Sequence, residues 1–301
     1  MPDIGRIAAS VSERLRDWAD ALSPELGEAF SALMAGSGVG ADAGAEKYLS
    51  PLSQPVLLLP VWLGPGLSDA VLLDIVESGL CGYLHVRVQD DRFDEGRGDA
   101  DTALVLSTSL LVRHHVLLTT HISDSVYWAL HARRWQAYAE AMLLERRLAR
   151  GEGEYDEAAF DRVLDRSRPL VLPGAAVLVL GGRGGEVAVL EDLVSAAVSA
   201  HQRFDDLVDA SEDFARGRRT SLIAESGAQS ADTLTTWLAR VGVDRVVERA
   251  RGDLRAGHLA ASALGVPAAL AWMDAREAAM EQWRKELYTR LFAGVLGRAA
   301  R

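Results

Sequence analysis

Apolar residues recur at three- and four-residue steps along almost the whole chain, the period of a helix rather than of a strand. Arg6–Ala35 carries this pattern, with the helix-start signal Ser23-Pro24-Glu25 inside it. Gly36–Asp42 reads as a loop, and Pro51–Pro65 as a proline-punctuated connection, extended in part. Ser68–Gln89 is a long predicted helix, apolar nearly all the way round and therefore expected in the core. Asp101–Ala149 reads as one or two helices, Gly151–Gly153 as a turn and Tyr155–Arg166 as a helix. Arg168–Leu190 is ambiguous. Its Val and Leu content suits a buried strand, whereas Pro173-Gly174 and Gly181–Gly185 punctuate short helices. No partner strand is in sight, so helix is favoured. Helices over Glu191–Arg218, Thr233–Arg251, Ala256–Leu264 and Val266–Arg298 complete the reading. The expectation is an all-α, single-domain chain spanning residues 1–301.

Two acidic stretches break the pattern. In "VQDDRFDEGRGD", Asp90 and Asp94 are four apart, as are Asp91 and Glu95. On a helix such pairs lie roughly 5–6 Å apart at Cβ. Like charges there destabilise each other, and a helix C-terminus is already partly negative. A cation would relieve all of this, and oxygen ligands so spaced suit Mg²⁺. An EF-hand fails on register. Taken alone, the ordinary reading is a solvated turn. The second stretch, "HQRFDDLVDASEDFARGRRTS", places Asp205, Asp209 and Asp213 at i, i+4 and i+8, with Asp206 and Glu212 beside them. Leu193, Val194, Phe204 and Leu207 make the rest of that helix apolar, so solvation explains the ridge poorly. Arg216, Arg218, Arg219 and Thr220 follow. Carboxylates for cations and guanidiniums for phosphate oxygens suit a metal–phosphate complex.

Composition narrows the class without naming it. The chain has 301 residues, 49% hydrophobic and 25% charged, an ordinary globular balance. Its net charge of −11 argues against general nucleic-acid binding. One cysteine, Cys81, excludes an internal disulfide and a thiolate zinc site. The N-terminal stretch lacks a signal-peptide core, and no run reads as a membrane span. A cytoplasmic protein is the expectation. Lys47 and Lys285 are the only lysines, so any anion is gripped mainly by arginine. His114, His115 and His121 lack a carboxylate at fixed spacing and read as packing or surface residues. Trp128, Trp135 and Tyr138 read as helix packing, and Gly181–Glu186 as an interhelical turn.

Two aspartate-rich helix faces, 115 residues apart in an all-helical chain of this length, resemble the class I isoprenoid synthases. The likeness is strongest to the trans-prenyltransferase branch and the related terpene synthases. The first motif is matched by His85, Asp90, Asp91, Asp94 and the Gly96-Arg97-Gly98 tail, the second by Gln202, Asp205, Asp206 and Asp209. The resemblance implies a helical bundle around a central apolar cavity. It implies Mg²⁺, three ions with Mn²⁺ as a substitute, on Asp90, Asp94, Asp205, Asp209 and Asp213. It implies catalytic roles for Asp90, Asp91, Asp94, Asp205 and Asp209, and a diphosphate held by Arg97, Arg218, Arg219 and Gln202. The expected substrate is a prenyl diphosphate, and the reading admits a homodimer.

The chain departs from elongating members of that branch. It has no N-terminal Gly-Lys-Arg stretch, one arginine after the first motif instead of two, and no Lys-Thr pair before the second. A paired Arg-Tyr near the C-terminus, expected of terpene synthases, has only loose counterparts in "ELYTR". One diphosphate site looks kept and the second reduced. The sequence therefore favours a terpene synthase (cyclisation or elimination) over condensation with isopentenyl diphosphate. A non-catalytic prenyl-diphosphate-binding homologue is the third reading.

Overall fold

The structure is a computed structural model that describes residues 3–36, 49, 55–95 and 100–299. The side chains of Asp91, Phe93, Asp94 and Glu95, and those of residues 290–299, lie outside the described set, as do Gly36–Asp42 beyond Gly36, Lys47 and Arg97. The described elements are helical, with no strand among them. In order they are α1 (Ile4–Asp20), α2 (Pro24–Gly36), α3 (Leu59–Leu63), α4 (Asp69–Glu95), α5 (Ala100–Thr119), α6 (Ser125–Ala149) and α7 (Glu157–Leu164). There follow α8 (Leu172–Leu180), α9 (Val187–Val208), α10 (Ala210–Ala215), α11 (Ser221–Ser226), α12 (Ala231–Trp237), α13 (Val243–Leu264) and α14 (Pro267–Ala299). The chain packs as two compact units, Met1–His131 with Pro169–Ala188, and Ala132–Arg168 with Val189–Arg301.

In the first unit α4 is the hub, as its all-round apolar pattern predicts. Leu72, Ile75, Leu80 and Leu84 are fully or almost fully buried. Glycines let neighbours approach: a Cβ on Gly79 would stand 2.9 Å from Pro173 of α8, and one on Gly82 would stand 3.2 Å from the His114 ring of α5. Glu77 is fully buried on α4, where its charge is tolerable because Arg14 of α1 and Arg113 of α5 both pair with it. Asp74, one turn earlier, takes Arg14 and the His121 ring at 2.6 Å.

In the second unit Arg203 of α9 plays the same tying role. It pairs with Glu157 of α7 and with Asp253 of α13 at 2.9 Å, and stacks 4.2 Å over the Phe160 ring. Gly257 admits Met273 of α14, whose methyl would meet a Cβ there at 2.5 Å. Leu207, Leu222, Leu234, Val243 and Val247 gather α9 and α11–α13 into one apolar cluster with Trp237 and Trp283 beside it.

Several sequence expectations are revised. Residues 55–63 are not extended: a 3₁₀ turn, Pro55–Leu58, leads into α3, where Pro60 sits in the first turn and so costs no hydrogen bond. The helix expected to stop at Gln89 continues through the first acidic cluster to Glu95. The helix expected over Glu191–Arg218 starts at Val187, is interrupted at Asp209 and resumes as α10, ending at Ala215. Arg168–Leu190 is helical, as favoured. One helical span, Asp101–Thr119, is long and apolar enough to cross a membrane by length and composition, although no such run was expected; a third of it is buried. Leu104, Val105, Val112 and Val116 form its exposed apolar side.

Of the three histidines read as packing or surface residues, His121 instead pairs with Asp74, His115 is half-buried, and His114 is buried against His131, which the sequence reading did not single out. His114 Nδ1 donates to the Ser78 carbonyl at 2.9 Å, which leaves its Nε2 to face His131 Nε2 at 3.1 Å. Burial lowers His114 to about 3 and His131 to about 4. Both are therefore neutral in the folded chain when the unfolded chain would protonate them, below about 6.5. This pair's contribution to stability is full above that pH and is lost as pH falls towards 4. Unfolding at pH 5 should take up about two protons from the pair. The melting temperature should drop between pH 7.5 and 5, and less steeply in His131→Gln. Identical slopes would count against it.

Candidate active site

The second acidic stretch occupies the end of α9, the interruption and α10. Asp206 points inward and is buried. The Gln202 amide donates to one carboxylate oxygen at 2.7 Å and the Ser221 hydroxyl to the other at 3.1 Å. Gln202 in turn accepts from Arg166 at 2.7 Å, and Arg166 donates at 2.7 Å to both oxygens of Glu145. Burial raises Asp206 to about 7 in spite of these donors. Burial, followed by the charges of Asp206 and Glu145, also raises the Tyr155 phenol.

Asp205, Asp209 and Asp213 turn away from that buried network, since residue 205 is one helical position (~100°) from 206. Asp205 and Asp209 are exposed and Asp213 is half-buried. The row survives the interruption because the backbone keeps helical bonds across it: Asp209 N–H to Asp205 O and Asp213 N–H to Asp209 O, each 2.9 Å. Partial burial and then the charges of Asp205 and Glu212 raise Asp209, against Arg216 and Arg218. Asp213 is raised by burial and by Asp209 and Asp205, while Arg218, 3.8 Å away, opposes. The row is thus a set of oxygen donors that repel one another, which is the chemistry a hard divalent cation satisfies. Among the described residues no three His, Cys, Asp or Glu side chains converge into a metal-binding group.

The first acidic stretch belongs to the other unit. Asp90 is half-buried near the end of α4. One turn before it, His85 is buried and donates from Nδ1 to the Ser107 carbonyl at 2.9 Å, and Gln89 donates to the Ser107 hydroxyl at 3.2 Å. These bonds fix the last described turns of α4 against α5.

Of the diphosphate ligands expected from sequence, Gln202 is a bridge between Arg166 and Asp206, Arg218 lies beside Asp213, and Arg219 donates to the Gly153 carbonyl at 3.0 Å. Arg97 lies outside the described residues. Two residues escaped sequence reasoning. Arg166 precedes the ambiguous stretch, and its partners Glu145 and Gln202 are 21 and 36 positions away, so spacing could not reveal it. Arg276 of α14 has a buried Nε without a hydrogen-bond partner, and burial lowers its guanidinium. Its guanidinium lies 5.5 Å from the centre of the Trp272 ring, and its charge acts on His201, one turn before Asp205. No signal in the sequence marks it.

The fold is that of the isoprenoid synthases. Decaprenyl diphosphate synthase from Rhodobacter capsulatus matches with a TM-score of 0.73 at 17% identity, over 93% of this chain and 99% of its own. Geranylgeranyl pyrophosphate synthetase from the archaeon Geoglobus acetivorans matches at 0.72 and 16%, over 91% and 97%. Geranyltranstransferase from Thermotoga maritima matches at 0.67 and 17%, over 93% and 99%. No protein-family model and no curated protein matches the sequence.

Asp206 gives a test of the buried network. An acid raised on folding favours the folded state most below the unfolded value near 3.9, and that advantage is lost as pH rises to about 7. In Asp206→Asn the side-chain oxygen accepts from Gln202, the amide donates to the Ser221 hydroxyl in reversed direction, and the group cannot ionise. In metal-free protein its melting temperature should exceed that of the wild type at pH 8, and the gap should close by pH 4. A variant that melts lower at pH 8 would show that the carboxylate is needed as an anion.

Proposed function

We propose that this chain is an isoprenoid synthase that breaks the allylic C–O bond of a prenyl diphosphate and transfers the prenyl group to isopentenyl diphosphate. What supports the reading most is the likeness, over more than nine-tenths of the chain, to three proteins whose names are those of prenyl-chain synthases and a geranyltransferase. The neighbours favour transfer over the lyase reading that the sequence suggested. The acidic row on α9–α10 adds a chemical reason, since it is the kind of donor set a metal–diphosphate substrate needs.

In this proposal Asp90, Asp94, Asp205, Asp209 and Asp213 hold Mg²⁺, which offsets the negative charge of the departing pyrophosphate. Arg218 and Arg219 bind phosphate oxygens on the same side as the row, and Arg97 does so after the first motif. Gln202 works from behind: held by Arg166, it keeps Asp206 in place and so fixes the rotation of the helix end. The electron pair of the broken bond leaves on pyrophosphate. The allylic cation is captured by the double bond of the second substrate, which then loses a proton.

A second reading, a one-substrate terpene synthase, is kept by one observation. The Lys-Thr pair of elongating members is missing before the second motif, and Arg166, a basic residue of that region, has its guanidinium taken up by Glu145 and Gln202. The third reading, a homologue that binds prenyl diphosphate without turnover, rests on the missing basic residues.

Purified protein with Mg²⁺ and geranyl, farnesyl or geranylgeranyl diphosphate, with and without isopentenyl diphosphate, separates the three. Longer diphosphates formed only with the second substrate are the expected products. Pyrophosphate and a hydrocarbon or alcohol without it would replace transfer by the lyase reading, and no turnover at all would end both. Asp205→Ala should abolish turnover, on the order of 10³-fold for loss of a metal ligand. It should also leave the metal-free protein as stable as the wild type or more so, because it removes repulsion. Marked destabilisation would make Asp205 structural.

A further inference from the structure

We propose that a groove on the second unit, between the C-terminal half of α6 and the end of α7, binds a phosphate- or diphosphate-bearing amphiphile. The groove measures about 530 Å³. Ala137, Ala141, Leu143 and Leu144 give it an apolar floor, and Leu143 is 63% exposed. Arg147 and Arg150 from α6 and its end, and Arg162 from α7, line it as well.

The charge state of the groove is what separates it from an ordinary solvated face. It contains two acids. Asp165 is paired with Arg168 at 2.8 Å, and Glu140, which accepts from the neutral amide of Gln136 at 3.0 Å, keeps its charge. Arg147, Arg150 and Arg162 make no ion pair among the described residues. Elsewhere in the same unit Arg134, Arg166, Arg168, Arg203, Arg249 and Arg251 pair with carboxylates, whereas Arg133, Arg240 and Arg255 make no ion pair among the described residues but line no groove with Arg147. In a chain of net charge −11, three guanidiniums without an ion pair, set against the single charge of Glu140, leave a net positive field around one concavity. Helix C-termini favour arginine in their last turns, which accounts for Arg147 and Arg162 being there. It does not account for an apolar floor between them.

Charge and floor together define the ligand. Guanidinium forks match phosphate oxygens bidentately, and three of them suit a di- or trianion better than a single carboxylate. The apolar floor needs a hydrocarbon attached to that anion, because exposed Leu143 gains nothing from inorganic phosphate. Two sources share this chemistry: a free alkyl or prenyl phosphate, and a phosphate headgroup presented by a bilayer. The inference does not rest on the proposed reaction, since none of its residues belongs to the acidic row or the Arg166 network.

The test uses the full chain in EDTA, where the acidic row repels phosphates and cannot mask the groove. Dodecyl phosphate as monomer, inorganic pyrophosphate, and phosphatidylcholine vesicles with and without phosphatidic acid are titrated in turn. They are titrated against the wild type, the triple variant Arg147→Ser/Arg150→Ser/Arg162→Ser, and Leu143→Ser. The exposed positions make folding of the variants easy to verify by circular dichroism. Loss of about tenfold or more in dodecyl phosphate affinity in the triple variant, with a smaller loss in Leu143→Ser and none for pyrophosphate there, supports a free amphiphile. Binding only to phosphatidic-acid vesicles, lost in the triple variant, supports a headgroup. Turnover of prenyl diphosphates should be equal in wild type and triple variant, so failure here is separable from failure of the proposed reaction. Equal binding by wild type and triple variant in every arm, or no binding in any, overturns the proposal.

Discussion

The second unit is organised around one buried carboxylate. Asp206 is buried, so its oxygens must be met by protein donors or the acid must stay protonated. The fold supplies Gln202 and Ser221, and Gln202 is held in turn by Arg166 against Glu145. The chain of bonds therefore reaches from α6 through the turn after α7 to α9 and α11. It sets the rotation of the last turns of α9. Because side chains one position apart diverge by ~100°, burying Asp206 obliges Asp205 to face elsewhere, and Asp209 and Asp213 follow at four-residue steps. The acidic row points where it does because its neighbour is locked inside.

That row stores unfavourable energy in the folded chain. Burial and mutual repulsion raise Asp209 and Asp213, and the nearby Arg216 and Arg218 offset only part of this. Natural sequences tolerate such local conflict mainly where it serves binding. The contrast with Asp74 and Glu77 is instructive. Those acids, Glu77 buried and Asp74 half-buried, are met directly by Arg14, Arg113 and His121, so their charges are compensated and they tie helices together. Paired acids in this molecule are structural, and the under-compensated ones form the candidate site.

Much of this was legible in the sequence. Helical periodicity revealed the all-α class, and four-residue steps predicted the row of Asp205, Asp209 and Asp213 that the backbone bonds carry across the interruption. What stayed hidden was of three kinds. The sequence counted Asp206 beside the row, because adjacent aspartates look alike until one face of the helix is known to be covered. Arg166 was invisible because its partners come from other elements. Proline misled at residues 55–63, where it was read as a breaker although it sits in the first turn of α3, the position at which a missing N–H costs nothing. The interruption at Asp209 carries no proline or glycine, so no local signal announced it.

The near-absence of lysine, which composition alone explains as a bias, has a structural consequence. The ion pairs that hold Glu77, Glu145, Glu157 and Asp253 all use the planar fork of arginine. Arg166 addresses Glu145 with one terminal nitrogen and Gln202 with the other, and Arg203 reaches Glu157 and Asp253 at once while lying over Phe160. An ammonium is a point charge and cannot hold two partners in fixed directions and stack on a ring as well. The same geometry suits phosphate, so in this chain ties and anion sites are built from one residue type. What distinguishes them is whether a carboxylate has already claimed the fork. By that criterion Arg166 and Arg203 are framework, whereas Arg276, stacked over Trp272 with its buried Nε unmatched, has a fork that no carboxylate has claimed among the described residues.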